Sequence, residues 1–387
     1  PQSEVSYAML GQIYSSQGDT EHAIKNLRKA VELKPNDHEL NLLLGGELTQ
    51  SGDFDAAIES LEQALKLKPD YAEAHFHLGN ALNEKGDQGA VIESYKRALQ
   101  LKPDYTDAYQ NMGIVFKAQG KLQEAIEACN KALSLKPDYA EAYYNMGNAL
   151  KAQGKLQEAI EAYNKALAIK PDYAEVLHML SASAGLTTNK APRKYVENLF
   201  DKYAEKFDDS LVNKLEYRMP KLISDLTKNL HGEGSMGSVL DLGCGTGLLG
   251  LEIKKSCSNL EGIDLSNEML VRARKRNVYE KLRHVDIVEY LSETKLDFDY
   301  FMSTDVFIYV GDLYDVFRLI KSQNKRSGRL VFSTEHTELD GFHLEKSGRY
   351  SHSKGYIESL CSKFDYSMFH FSTAPLRKDK GQFLEGG

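Results

Sequence analysis

The sequence predicts a multidomain molecule: an all-helical repeat solenoid followed by an α/β domain on a mostly parallel sheet. Two observations predict it. Pro35, Pro69, Pro103, Pro137 and Pro171 stand 34 residues apart, each closing an Ala-x-x-(Leu/Ile)-Lys-Pro phrase. A fixed period of that length marks a helix–turn–helix array, in which each unit buries its apolar face only against its neighbours. Beyond residue 194, short apolar runs instead alternate with helical stretches. Runs at 238–242, 259–263, 281–285, 298–303 and 328–333 read as strands, and Gly247–Lys255, Asn267–Arg276 and Leu313–Gln323 as helices. Alternating βα units imply a parallel sheet covered by helices, with ligands bound beyond the carboxyl ends of its strands.

Composition narrows the function. The 387 residues are too many for one ordinary core, and none of the apolar runs reaches the 18 residues expected of a membrane span. The net charge of −8 speaks against nucleic acid as an obligatory partner. Cys129, Cys244, Cys257 and Cys361 are scattered without a CxxC pair, which suggests reduced thiols in a cytoplasmic protein and no structural metal. Residues 1–14 already belong to a repeat, so the sequence is expected to begin inside the array, with no signal peptide.

Aligned on the Pro, the units share one skeleton: Tyr7, Leu10, Gly11, Tyr14, Ala23, Leu27 and Ala30 in the first; Tyr143, Met146, Gly147, Leu150, Ala159, Tyr163 and Ala166 in the fifth. This resembles the tetratricopeptide repeat over residues 4–171. Gly and Ala are small where two helices cross closely, and Pro stops the second helix. The resemblance implies that the first helix of each unit lines a concave face, where Asn80, Asn111, Asn145 and Asn148 would grip an extended peptide backbone. Equally, these amides are simply solvated and carried along by repeat duplication. Residues 174–184 read as a capping helix, giving a solenoid domain of 1–184. Residues 185–194 read as a linker without chemistry, and 195–387 as the second domain. A solenoid of this kind also leaves self-association open.

The loop after the first strand of the second domain is Gly243-Cys-Gly245-Thr-Gly247, preceded by Asp241. Asp264 ends the second strand and Asp286-Ile287 follows the third. Together these residues resemble the class I S-adenosylmethionine-dependent methyltransferases over 195–387, a Rossmann-like fold whose seven-stranded type of sheet would finish with an antiparallel pair. Phe364–Ser372 would supply the first strand of that pair and the segment around Gln382 a shortened second. The resemblance implies S-adenosylmethionine as cofactor. Glycines let the backbone approach it, and Asp264 would accept from the ribose hydroxyls. Asp286 would accept from the adenine amino group, with Leu265, Met269 and Ile287 packed on the ring. Asp305 and Tyr309, after the fourth strand, would face the methyl group and the substrate.

The stretch from Tyr195 to Asp208 resembles the lid helices, at 195–230, of bacterial tetratricopeptide-linked methyltransferases. Tyr203 would reach the cofactor, while Phe200 and Phe207 read as core packing. Arg218 would meet the cofactor's carboxylate or form a surface ion pair. Of the histidines after the fifth strand, His336 and His352 are candidate general bases; their irregular spacing is not that of a zinc motif. Three readings follow. The first is methyl transfer to a peptide or protein recruited by the repeats. The second is transfer to a small or carrier-bound acyl substrate, with the repeats docking a partner. The third is a non-catalytic cofactor-binding scaffold.

Overall fold

A computed structural model describes residues 3–204, 207–214, 216–231, 234–293, 295–379 and 382–387. Two compact units divide it, the first ending at Asp172 and the second starting at Tyr173. Among the described residues, no helix is long and apolar enough to cross a membrane.

The first unit is five helix pairs: α1 (Glu4–Ser16) with α2 (Thr20–Leu33), α3 (His38–Ser51) with α4 (Phe54–Leu67), and α5 (Ala72–Lys85) with α6 (Gln88–Leu101). The last two are α7 (Thr106–Ala118) with α8 (Leu122–Leu135), and α9 (Ala140–Ala152) with α10 (Leu156–Ile169). Every second helix stops two residues before its Pro, because the pre-proline Lys is driven out of the helical region; Lys34 sits at φ −141°, ψ 75°. Asp19, Asp53 and Asp87 cap α2, α4 and α6 through their side chains, whereas Lys121 and Lys155 begin α8 and α10 without such a bond. Close crossing explains the repeated Gly: a Cβ added at Gly147 would come within 2.5 Å of Tyr163 Cε1.

The second unit opens with α11 (Ala174–Ala184), the helix expected to cap the solenoid. It is bound within this unit through His178, whose ring nitrogen Nε2 donates to Gly348 O at 2.8 Å. Then come α12 (Arg193–Tyr203), a π-helical turn (Asp209–Lys214) and α13 (Met219–His231). The central sheet is built from β1 (Ser238–Leu242), β2 (Asn259–Asp264), β3 (Lys281–His284), β4 (Tyr300–Ser303) and β5 (Arg329–Phe332). Between them lie α14 (Leu248–Ile253), α15 (Asn267–Arg276), α16 (Ile287–Glu293) and α17 (Tyr314–Gln323). All five strands are parallel in the order β3-β2-β1-β4-β5. Both faces are covered: Leu240 and Leu242 enter one apolar cluster with Phe301 and Phe317, while Val239 enters the other with Leu249 and Ile253. Strand order reverses between β1 and β4, so the crevice beyond their carboxyl ends is the natural ligand site.

The expected seven-stranded sheet is replaced by two sheets. A second one, ordered β7-β8-β6-β10-β9, gathers β6 (Glu335–His336), β7 (Phe342–Leu344), β8 (Tyr350–His352), β9 (Ala374–Asp379) and β10 (Gln382–Gly386). Within it, α18 (Lys354–Lys363) connects β8 to β9 and packs Ile357 and Leu360 into the main core. Phe364–Ser372, expected as a strand, is not one. Phe364 and Tyr366 pack on the main core instead, and Tyr366 donates its hydroxyl to Phe317 O at 3.0 Å. The terminal antiparallel pair is β9 with β10, attached to β6 through Gly386 and Glu335.

Candidate functional site

A cavity of about 370 Å³ lies beyond the carboxyl ends of the central strands, within the size range of small-molecule sites. Its floor is the loop after β1. Gly243 and Cys244 donate their amides to Ile263 O, both at 2.9 Å, folding the loop back over β2. Gly243 (φ 74°) and Gly245 (φ 53°) adopt left-handed conformations and both line the cavity. A Cβ at Gly243 would lie 2.4 Å from Val306 Cγ2, whereas one at Gly245 would meet only Phe207, at 4.0 Å, and would take up ligand space. Gly247 does not reach the cavity. Its room is taken by Tyr279 and Arg276 of the same unit.

Asp264, at the end of β2, lines the floor. Its Oδ2 accepts from Gly245 N and its Oδ1 from Ser266 N, both at 2.8 Å, so the carboxylate is oriented by the loop it supports. Burial raises its pKa, and these amide bonds hold the rise back. Asp286 caps α16: its Oδ1 accepts from Val288 N (2.8 Å) and Glu289 N (3.2 Å), which leaves Oδ2 for a ligand. Leu265, Met269 and Ile287 line the same end.

The roof is a whole helical stripe. Val196, Leu199, Phe200 and Tyr203 on α12, with Phe207, recur at helical spacing and all line the cavity, where only Tyr203 was expected. Phe200 packs edge-on against Tyr309 at 5.2 Å, and Tyr203 against Phe207 at 5.8 Å. Two acids hold the roof down. Asp201 Oδ1 accepts from Ser266 Oγ (2.6 Å), and Asp208 Oδ1 from Thr246 Oγ1 (2.5 Å) while its Oδ2 pairs with Arg276. Asp201 and Asp208 lie in the stretch read as lid helices, but their roles and that of Arg276 depend on partners distant in the chain.

The fourth-strand end supplies Thr304, Asp305, Ile308 and Tyr309 to the wall. Asp305 (φ 56°) is fixed by Ser333, which donates its hydroxyl to Asp305 Oδ1 and accepts from Asp305 N, each at 3.0 Å. Residues 185–194 are part of the site and not merely a linker. Lys190 bridges to Val310, Ala191 N donates to Tyr309 O (3.1 Å), and Asp312 N donates to Asn189 O (2.7 Å). Lys190, Ala191 and Arg193 line the cavity, with Arg349 from the turn before β8.

Besides Gly247, four residues expected at the site do not line the cavity. His352 is 1% exposed and does not line the cavity. Its Nε2–H donates to Gly311 O (2.8 Å) and Val310 O (3.1 Å), and its Nδ1 accepts from Thr334 Oγ1 (2.6 Å), so both nitrogens serve the fold. Burial pushes its pKa down to about 4. His336 also lies outside the wall, with Nε2 3.2 Å from Glu338 Oε1 and its ring edge-on to Phe371. Arg218 is exposed and outside the wall; Tyr217 lines it instead. Asp241 lies beneath the loop, fully buried, its Oδ2 accepting from Tyr279 OH at 2.7 Å and its Oδ1 without a hydrogen-bond partner.

Burial pushes Asp241 up to about 7. Between the unfolded value near 4 and about 7, the native state holds a proton that the unfolded chain releases, so stability falls as pH rises through this window, by on the order of 4 kcal/mol. Asp241→Asn is expected to remove that fall. Urea unfolding from pH 4.5 to 8 should show the variant gaining on the parent as pH rises, and parallel curves would refute the assignment.

In the first unit, Asn80 Oδ1 accepts from Tyr95 OH (2.7 Å) and Asn111 Nδ2 (2.9 Å), and Asn148 Oδ1 accepts from Tyr163 OH (2.8 Å). These amides are thus tethered within and between repeats; Asn145 is half-buried.

A parallel sheet with a glycine-rich loop at its switch point, carboxylates at the ends of its second and third strands and an aromatic roof defines an α/β domain with its ligand crevice at the switch point. The chain belongs to the methyltransferase-domain family, which it matches over residues 233–381, and carries TPR repeats matched at 5–37, 45–154 and 140–173. Carboxy-S-adenosyl-L-methionine synthase of Wolinella succinogenes is 33% identical over 177 residues, 41% of this chain and 71% of that protein. Malonyl-[acyl-carrier protein] O-methyltransferase of Halalkalibacterium halodurans is 27% identical over 151 residues, 37% of this chain and 55% of that protein. Methyltransferase-like protein 27 of Homo sapiens is 34% identical over 87 residues, 22% of this chain. The chain spans 35% of the length of this human relative.

Proposed function

We propose that the second unit binds S-adenosylmethionine and transfers its methyl group to a peptide or protein segment recruited by the repeats. The observation that carries the cofactor reading is Asp264, held by Gly245 N and Ser266 N in the floor of a cavity where Gly245 leaves room for a ligand. The bound cofactor supplies a methyl group on a sulfonium. Asp264 accepts from the ribose hydroxyls and Asp286 Oδ2 from the adenine amino group. Leu265, Met269 and Ile287 pack against the ring, and the α12 stripe excludes water. Asp305 and Tyr309 border the end where the acceptor enters, and alignment there does most of the catalytic work.

The repeats would raise the local concentration of an acceptor segment at a domain that binds it weakly alone, with Asn80, Asn111, Asn145 and Asn148 as candidate contacts. A carrier-bound acyl acceptor is the second reading, favoured by the similarity to the malonyl-carrier methyltransferase. The test is transfer of labelled methyl from S-adenosylmethionine by the full chain into a lysate of the source cells. Label in protein bands, reduced at least tenfold by Asn80→Ala with Asn148→Ala, is the expected result. Label confined to small molecules would favour the second reading.

A further inference from the structure

Both amide donors to Asp264 lie at or beside a hydroxyl that the roof holds. Gly245 N donates to Asp264 Oδ2 and Ser266 N to its Oδ1, each at 2.8 Å. Ser266 donates its own hydroxyl to Asp201 Oδ1 on α12 (2.6 Å). Thr246, next to Gly245, donates its hydroxyl to Asp208 Oδ1 (2.5 Å). Ser266 is 0% and Thr246 1% exposed. A buried hydroxyl needs a partner, and the hydrogen of each goes to a roof carboxylate.

Helix α15 frames the same contacts. At its start Ser266 is the N-cap, accepting from Met269 N at 3.1 Å, and Glu268 N donates to Asp201 Oδ1 at 3.4 Å. A carboxylate is favoured at that end of a helix. At its close, Arg276 donates from Nε to Thr246 O at 2.6 Å and pairs through Nη2 with Asp208 Oδ2. The two roof acids thus hold two separate loops, after β1 and after β2, that converge on Asp264. Neither acid lines the cavity.

Excluding water needs only the apolar stripe from Val196 to Phe207. The carboxylates add a second effect, because they fix the residues from which Asp264 takes its hydrogen bonds. Such bonds weaken steeply with angle, so a carboxylate turned away from its donors also misaims at a ligand.

We infer that Asp201 and Asp208 are positioning residues for Asp264: docking of the roof sets the carboxylate in the orientation that accepts the ribose hydroxyls. This rests on the reading of the cavity as an S-adenosylmethionine site. Roof closure and ribose recognition are then one event. Opening the roof to release the used cofactor also loosens the carboxylate that held it. The two acids act through Thr246 and Ser266 and touch no ligand themselves.

The full chain and its Asp201→Ala, Asp208→Ala, Asp201→Asn and Asp208→Asn variants would be titrated with 5′-methylthioadenosine and with its 2′,3′-dideoxy analogue, which lacks both ribose hydroxyls. Calorimetry reads the affinity and thermal unfolding reads the fold. The parent is expected to prefer the ribose form by about a hundredfold. In each Ala variant that preference should fall to tenfold or less, through lost affinity for the ribose form, while the dideoxy form binds within threefold of the parent. The Asn variants, whose side-chain carbonyls still accept from Ser266 and Thr246, should recover part of the preference. They carry the comparison, at a smaller loss, should an Ala variant unfold.

A roof that merely covers the cavity would weaken both ligands alike and leave the preference at the parent's value. That result overturns the inference while the cofactor reading stands. A parent with no ribose preference removes the ribose role of Asp264 and the inference with it. A parent that binds neither these ligands nor S-adenosylhomocysteine sinks the proposed function as well.

Discussion

Asp264→Ala is expected to weaken S-adenosylhomocysteine binding by about a hundredfold or more while leaving the protein folded. The carboxylate would accept two ribose hydroxyls, and each hydrogen bond to a charged group contributes about 1.5–3 kcal/mol. The same oxygens hold Gly245 N and Ser266 N, so the loop loses its anchor as well. The fold should survive, because removing a carboxylate whose ionised form is disfavoured by burial relieves a desolvation cost. Calorimetric titration reads the affinity and thermal unfolding reads the fold. A dissociation constant within threefold of the parent, at unchanged stability, would remove the cofactor assignment.

Two glycines of one loop should fail in opposite ways. Gly243→Ala places a Cβ 2.4 Å from Val306 Cγ2 at a φ of 74°. Overpacking and left-handed strain together should cost about 2–5 kcal/mol of stability. Gly245→Ala meets nothing closer than 4.0 Å, so only the backbone term, about 1 kcal/mol, is expected. Its methyl group points into the cavity, and cofactor affinity should fall tenfold or more. Urea unfolding of both variants beside ligand titration separates the effects. Equal destabilisation of the two, with equal affinity, would mean that Gly245 does not face the cofactor.

The local signals were legible because each depends on neighbours in sequence. A 34-residue Pro period specifies helix ends wherever it occurs, since the pre-proline constraint acts on the adjacent residue. Four of the five central strands lie within the runs read from the sequence and β2 runs one residue further, to Asp264; β1 and β4 are buried along their length, whereas β3 is a largely exposed edge strand. The short helix Ile287–Glu293 was not foreseen. Asp286 before it was read as a ligand contact, and its capping bonds to Val288 and Glu289 show that it also starts the helix.

What the sequence by itself determined is the repeat array, the βα alternation, and the positions of Gly243, Gly245, Asp264 and Asp286 at strand ends. Only the tertiary structure decided which side chains reach the cavity. His352 and Arg349 belong to one short phrase, yet one is locked against Gly311 and Val310 carbonyls and the other lines the wall. The stretch at 185–194 reads as a polar linker until Ala191 is seen bonded to Tyr309. The reason is physical. Backbone constraints and apolar period act over a few residues, whereas a side chain's partner and exposure are set by elements tens to hundreds of residues away.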